Sequence, residues 1–78
     1  MTVKIPKVKN TYIKGEYIKL DALLKYAYIA STGGEAKHLI KNGEVYVGGT
    51  QCMQRGKKIY TGDVVRYGDN TLIVRKSK

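Results

Sequence analysis

Residues 19–65, KLDALLKYAYIASTGGEAKHLIKNGEVYVGGTQCMQRGKKIYTGDVV, change hydrophobic period along their length, and those changes decide the fold. At the start, Leu20, Leu23, Leu24 and Ala27 recur at i, i+3, i+4 and i+7, the spacing of one apolar helix face, while Lys19 and Lys25 fall elsewhere. This predicts a first helix ending near Tyr28. Asp21 in its first turn has the sign that the positive end of a helix dipole favours, a structural role. Thr32 followed three residues later by Glu35 predicts the start of a second helix, because hydroxyl and carboxylate can satisfy exposed first-turn amides reciprocally. Ala36, Leu39 and Ile40 form its inward face, Lys41 stands in its last turn, and Gly43 occupies the place where a helix reverses through the left-handed region. The period then becomes two. Val45 and Val47 lie on one face and Glu44 and Tyr46 on the other, and Gly48-Gly49 suits a two-residue hairpin turn from which residues 50–54 return as the partner strand.

Outward from this stretch, Gly56, Gly62 and Gly68-Asp69-Asn70 punctuate the chain and predict strands near 58–60, 64–67 and 71–76. On the N-terminal side, residues 11–18, TYIKGEYI, are rich in aromatic and β-branched types and read as one short strand or extended segment. Residues 1–10 alternate Val3, Ile5 and Val8 with Lys4, Lys7 and Lys9 around Pro6, fitting a flexible basic arm, mostly disordered when free, or an edge strand. The expected organisation is therefore a basic arm over 1–10 and a single domain over 11–76. Its class is α+β, with two short helices packed on one face of a small, mostly antiparallel sheet.

A chain of 78 residues holds one domain, near the size at which a single core barely offsets the entropy of ordering. Its apolar runs are far shorter than the ~20 residues needed to span a bilayer. MTVKIPKVKN lacks the apolar core of a secretory signal, about 7–15 residues long, so a cytoplasmic protein is expected. The single cysteine, Cys52, has no partner for an internal disulfide or a zinc site and reads as a small core or sheet residue. Fifteen Lys and Arg against six Asp and Glu give a net charge of +9, a field that attracts polyanions. Nucleic acid is the partner this favours, with simple solvation of the surface as the alternative.

The cations have an order. Gly33, Lys37 and Lys41 recur every four residues, a stripe displaced from the inward face of the second helix. Gly33 and Gly34 either leave first-turn amides bare for a phosphate or allow close packing at the helix entry, and both readings stand. Residues 54–58, Gln-Arg-Gly-Lys-Lys, place three cations around a glycine in a loop too polar to pack. His38 adjoins the stripe and can stack or hydrogen-bond, with a neutral structural role as the alternative. Of seven tyrosines, Tyr46 on the outward face of its strand is the candidate for base stacking, and the other six read as packing residues with a polar tip. One His, one Cys and no carboxylate pair beside a base leave no inventory for catalysis, so no enzyme activity, metal, cofactor or small-molecule substrate is expected.

Taken in order, Lys19-Leu20-Asp21, Thr32-Gly33-Gly34-Glu35-Ala36, Leu39-Ile40, Val45 to Gly49 and Gly62-Asp63-Val64-Val65 resemble the Arg-Leu-Asp, Ser-Arg-x-x-Ala, Leu-Ile, Val-x-Val-Asn-Gly and Gly-Asp-x-Val motifs of the ribosomal-protein-S4-like RNA-binding domain, the αL motif. The likeness is greatest to its small stand-alone, ribosome-associated members of the YaaA type. In that family the loop after the second strand lies beside helix two and both contact RNA. The resemblance thus implies a monomeric module that binds structured, ribosomal RNA in ribosome assembly or association, through Lys19, Thr32, Gly33, Lys37, His38, Lys41, Arg55, Lys57 and Lys58. An adaptor for an acidic protein and a non-specific DNA binder are the competing classes. Gly33 and Lys19 stand where many members have arginine, Gly48 where asparagine is usual and Tyr28 where glycine is usual. Losing two arginines removes planar forks able to grip phosphate bidentately, leaving lysines and backbone amides in their place.

Overall fold

Helical spacing in the first half of the chain and alternation in the second are both realised. The computed structural model describes residues 7–77, which form β1 (Lys7–Ile13), β2 (Tyr17–Lys19), α1 (Leu20–Tyr26), α2 (Gly33–Lys41), β3 (Val45–Val47), β4 (Thr50–Gln51), β5 (Lys58–Tyr60), β6 (Val64–Tyr67) and β7 (Asn70–Lys76). Five strands make a mixed sheet in the order β1-β7-β6-β3-β4, and β2 and β5 make a separate antiparallel ribbon. The predicted helix faces meet the core: Leu20, Leu23 and Leu24 of α1 and Ala36 and Ile40 of α2 are fully buried, while Leu39 is half-buried against them. Val45, Val65, Leu72, Val74 and Ile13 close that core from the five-stranded sheet, and Ile59 from the ribbon. Cys52 is a buried member of the same cluster.

The N-terminal third departs from expectation. The segment 11–18 is two strands in two different sheets, because the chain bends at the exposed residues Lys14, Gly15 and Glu16. From Lys7 onward the second of the two readings of the N-terminal segment holds, an edge strand, running parallel to β7 from Lys7↔Asn70 to Ile13↔Lys76; residues 1–6 lie outside the described residues. This parallel ladder joins the two ends of the folded chain. The remaining pairings are antiparallel. The hairpin forms as the sequence predicts, with φ of 59° at Gly48 and 83° at Gly49 and Val47 paired to Thr50, but β4 ends at Gln51 rather than at residue 54.

Both helices end in the same left-handed reversal. At α2 the Gly43 amide donates to the Ile40 carbonyl and Glu44 to Leu39, with φ 74° at Gly43; at α1 Tyr28 donates to Lys25 and Ile29 to Leu24, with φ 62° at Tyr28. Glycine adopts this conformation without strain, whereas a side chain there costs about 1–2 kcal/mol. Tyr28 is the one non-glycine residue with positive φ among the described residues. Gly43 is constrained a second time, because an added Cβ would collide with the side-chain amide of Gln51, whose Nε2 donates to the Gly43 carbonyl at 2.8 Å. Gly43→Ala is therefore expected to lower stability by about 1–2 kcal/mol or more, a fall in Tm of roughly 4 °C or greater for a domain of this size. Thermal unfolding followed by circular dichroism measures it, and an unchanged midpoint would show that the reversal tolerates a side chain.

Candidate nucleic-acid interface

The second helix is entered through Thr32, which is extended (φ −137°, ψ 164°) and whose hydroxyl accepts from the Glu35 amide at 3.1 Å. The carboxylate of Glu35 turns back one residue further than the sequence predicts and accepts from the Ser31 amide at 3.2 Å. Beyond this cap the four-residue stripe is in place. Lys41 and Gly33 are exposed, Lys37 is half-buried, and Ala36 and Ile40 occupy the opposite, buried side. His38 is exposed and its Nε2 lies 3.1 Å from the Asn42 side-chain amide, so the ring is tied to the end of its own helix. An added Cβ at Gly33 would meet nothing within 4 Å, and at Gly34 only the Thr32 hydroxyl at 3.9 Å. Close packing therefore gives no reason for the two glycines.

The remaining predicted cations gather at the start of α1. Lys19, its N-cap, supplies no side-chain cap. Instead the Leu20 amide donates to the Lys57 carbonyl at 2.9 Å and the Asp21 amide to the Arg55 carbonyl at 3.1 Å. Two of the loop's carbonyls thus satisfy first-turn amides of the helix, and Arg55 and Lys57 are themselves exposed. In the ribbon Lys19 pairs with Lys58, and the same alternation carries Ile18 and Ile59 to the inner face. Two groups result: Thr32, Gly33, Lys37, His38 and Lys41 along α2, and Lys19, Arg55, Lys57 and Lys58 at the head of α1, the two helices packing on one another. Among the described residues none of these cations is engaged by a carboxylate. Nor does any group of three His, Cys, Asp or Glu among the described residues come close enough to hold a metal ion, and no helix is long and apolar enough to cross a membrane.

With this arrangement in view, the family comparison is decisive, since residues 11–75 match the S4 domain. The chain belongs to the S4-domain family. A curated relative, the probable ribosome maturation protein RlbA of Bacillus subtilis (strain 168), is 42% identical over 53 residues, covering 68% of this chain and 75% of that protein. In this S4 domain the tyrosines differ from the sequence reading. Tyr46 is half-buried, with the Arg66 guanidinium 5.2 Å from its ring centroid. Five of the six assigned to packing, Tyr12, Tyr17, Tyr26, Tyr28 and Tyr60, are exposed. A signal for two of them was present: Tyr17 alternates with Lys19, and Tyr60 with Lys58, across inward isoleucines. Of the others, Tyr12 alternates with the buried Thr11 and Ile13 and so lies on the outer face of β1, Tyr26 is the last residue of α1, and Tyr28 stands at its reversal.

The unobstructed space at Gly33 makes its role testable without ligand. Gly33→Ala is expected to leave unfolding stability unchanged or to raise it by up to ~1 kcal/mol through helix propensity. A loss of more than about 1 kcal/mol in urea unfolding, the size of a typical propensity effect, would restore a packing role for this glycine.

Proposed function

We propose that this S4 domain binds structured RNA, ribosomal RNA or a pre-ribosomal particle, through phosphate and shape contacts, and carries out no chemistry of its own. The observation that carries the reading is the pinned loop: backbone bonds hold Arg55 and Lys57 at the head of α1 beside the Lys19–Lys58 pair, with no carboxylate among the described residues engaging them. Lysines and arginines held on ordered elements can meet phosphates at fixed spacing, which suits the backbone of a folded RNA. The stripe of Lys37 and Lys41 on α2, which packs on α1, is the second group of cations that this reading assigns to the RNA, with room for a phosphate beside Gly33 at the start of that helix. Membership of the S4 family supports RNA as the ligand class, and the relative named as a probable ribosome maturation protein supports a ribosomal RNA and a cytoplasmic role.

Affinity for a structured RNA should fall steeply with salt. With about five phosphate contacts, the log–log slope is near −3.5 to −4.5. A slope indistinguishable from zero would remove phosphate contacts as the driving force. Competition of labelled structured RNA by duplex DNA and by an acidic polypeptide separates this reading from its two rivals, since either competitor displacing the RNA at equal concentration would favour a non-specific or protein-directed surface.

Position of charge is the sharper test. Reversing Lys37, Lys41 and Arg55 to Glu should cost roughly 2 kcal/mol or more of RNA affinity at moderate salt, while leaving the Ala36, Leu39 and Ile40 face of α2 untouched. Reversing Lys4, Lys76 and Lys78, near the chain ends, changes net charge by the same amount and should cost clearly less. Equal losses in two well-folded variants would show that net charge alone attracts the RNA.

A further inference from the structure

Exposed aromatic rings on this domain are contiguous, and they lie largely outside the cation surface described above. Tyr26, the last residue of α1, donates its hydroxyl to the Tyr12 carbonyl on β1 at 3.0 Å. Tyr28 follows two residues later at 87% exposure. Lys9, Asn10, Tyr12, Tyr26 and Tyr28 line a cleft of about 270 Å³. That is below the usual ~300–1,000 Å³ of small-molecule sites, so it serves as a surface to lean on and not as an enclosing pocket. Tyr26 also borders a depression that reaches Lys14 and Tyr17, which continues the surface to the ribbon. There the rings of Tyr17 and Tyr60 are 5.8 Å apart and tilted by 50°, with the Lys58 ammonium 4.9 Å above Tyr17. Lys9 stands in the same relation to Tyr28, at 5.5 Å.

The backbone at Tyr28 makes this more than an accident of composition. The position demands a left-handed conformation that glycine would adopt freely, and the side chain placed there adds nothing to the core. Strain kept for an exposed ring points to a use for that ring. The interleaving of lysines identifies the ligand. Protein–protein interface centres favour tyrosine but are depleted of lysine, whereas single-stranded nucleic acid offers bases to the rings and phosphates to the ammonium groups. Among the described residues two carboxylates adjoin the face, Glu16 at the β1–β2 bend and Asp63, whose Oδ2 accepts from the Tyr60 amide at 2.7 Å.

We propose that the tyrosine–lysine face running from Tyr28 and Tyr12 through Tyr26 to Tyr17 and Tyr60 is a second site that stacks unpaired nucleotides of the bound RNA. It deepens the reading above and rests on it, because Lys19 and Lys58 of the ribbon belong to both surfaces and let a strand leaving the structured region pass directly onto the rings. Tyr28→Gly combined with Tyr12→Thr tests it: the first change removes a ring while relieving the backbone, the second keeps a β-branched residue on the edge strand, and neither removes the Tyr26 hydroxyl or the carbonyl it bonds.

Three RNAs serve as probes: a blunt hairpin, the same hairpin with an extension of about eight unpaired nucleotides, and that single strand alone. In the wild type the extension should strengthen binding and quench tyrosine emission, which is readable because the chain has no tryptophan. The double variant should unfold at the same temperature or higher, bind the blunt hairpin within about twofold of wild type, and lose about tenfold or more of its affinity for the extended hairpin, the scale expected for a lost stacked base. A wild-type domain indifferent to the extension, or a folded variant that keeps its full advantage, overturns the proposal. Failure of the blunt hairpin to bind while the single strand binds in a tyrosine-dependent way would count against the structured-RNA reading and for this site. Self-association of the wild type that the variant abolishes, with no change in RNA affinity, would assign the face to a second copy of the chain.

Discussion

The head of α1 depends on two backbone hydrogen bonds from a distant loop. A seven-residue helix is too short to persist on its own in water, and Lys19 gives it no side-chain cap. Its first amides are satisfied by the carbonyls of Lys57 and Arg55, more than thirty residues further along the chain. Because α1 contributes Leu20, Leu23 and Leu24 to the core, the packing of the whole domain is tied to that loop. The same two bonds fix the chain that bears Arg55, Lys57 and Lys58. Folding and display of the cations are thus one event, and a change that frees the loop would weaken both.

The two helix ends show how the domain divides stability from use. At α2, glycine occupies the left-handed position and the Gln51 side chain fills the space where a Cβ would be, so the reversal serves packing alone. At α1 the same geometry is met with tyrosine, whose ring is almost wholly in solvent beneath the Lys9 ammonium. One reversal is relaxed and the other carries strain in exchange for an exposed ring. The remaining exposed tyrosines lie around that strained end and the ribbon that leads to the loop, so aromatic and cationic surfaces meet at the head of α1.

What could be read without coordinates was whatever depends on neighbours within a few residues. The i, i+3, i+4 spacing of Leu20, Leu23 and Leu24, the Thr32–Glu35 cap, the reversal at Gly43, the Gly48-Gly49 turn and the strands at β5 and β6 are settled by local sterics and hydrogen bonding, and the structure has them. The ordered motifs likewise identified the S4 family. Only the tertiary structure decided the parallel pairing of β1 with β7, the separation of residues 11–18 into two sheets, the docking of the Arg55 loop on α1 and the exposure of most tyrosines. Each of these joins or separates residues far apart in the chain. A strand's alternation specifies which side chains share a face but not which partner strand pairs with it, and a tyrosine with an apolar ring and a polar hydroxyl satisfies the same sequence pattern buried or exposed.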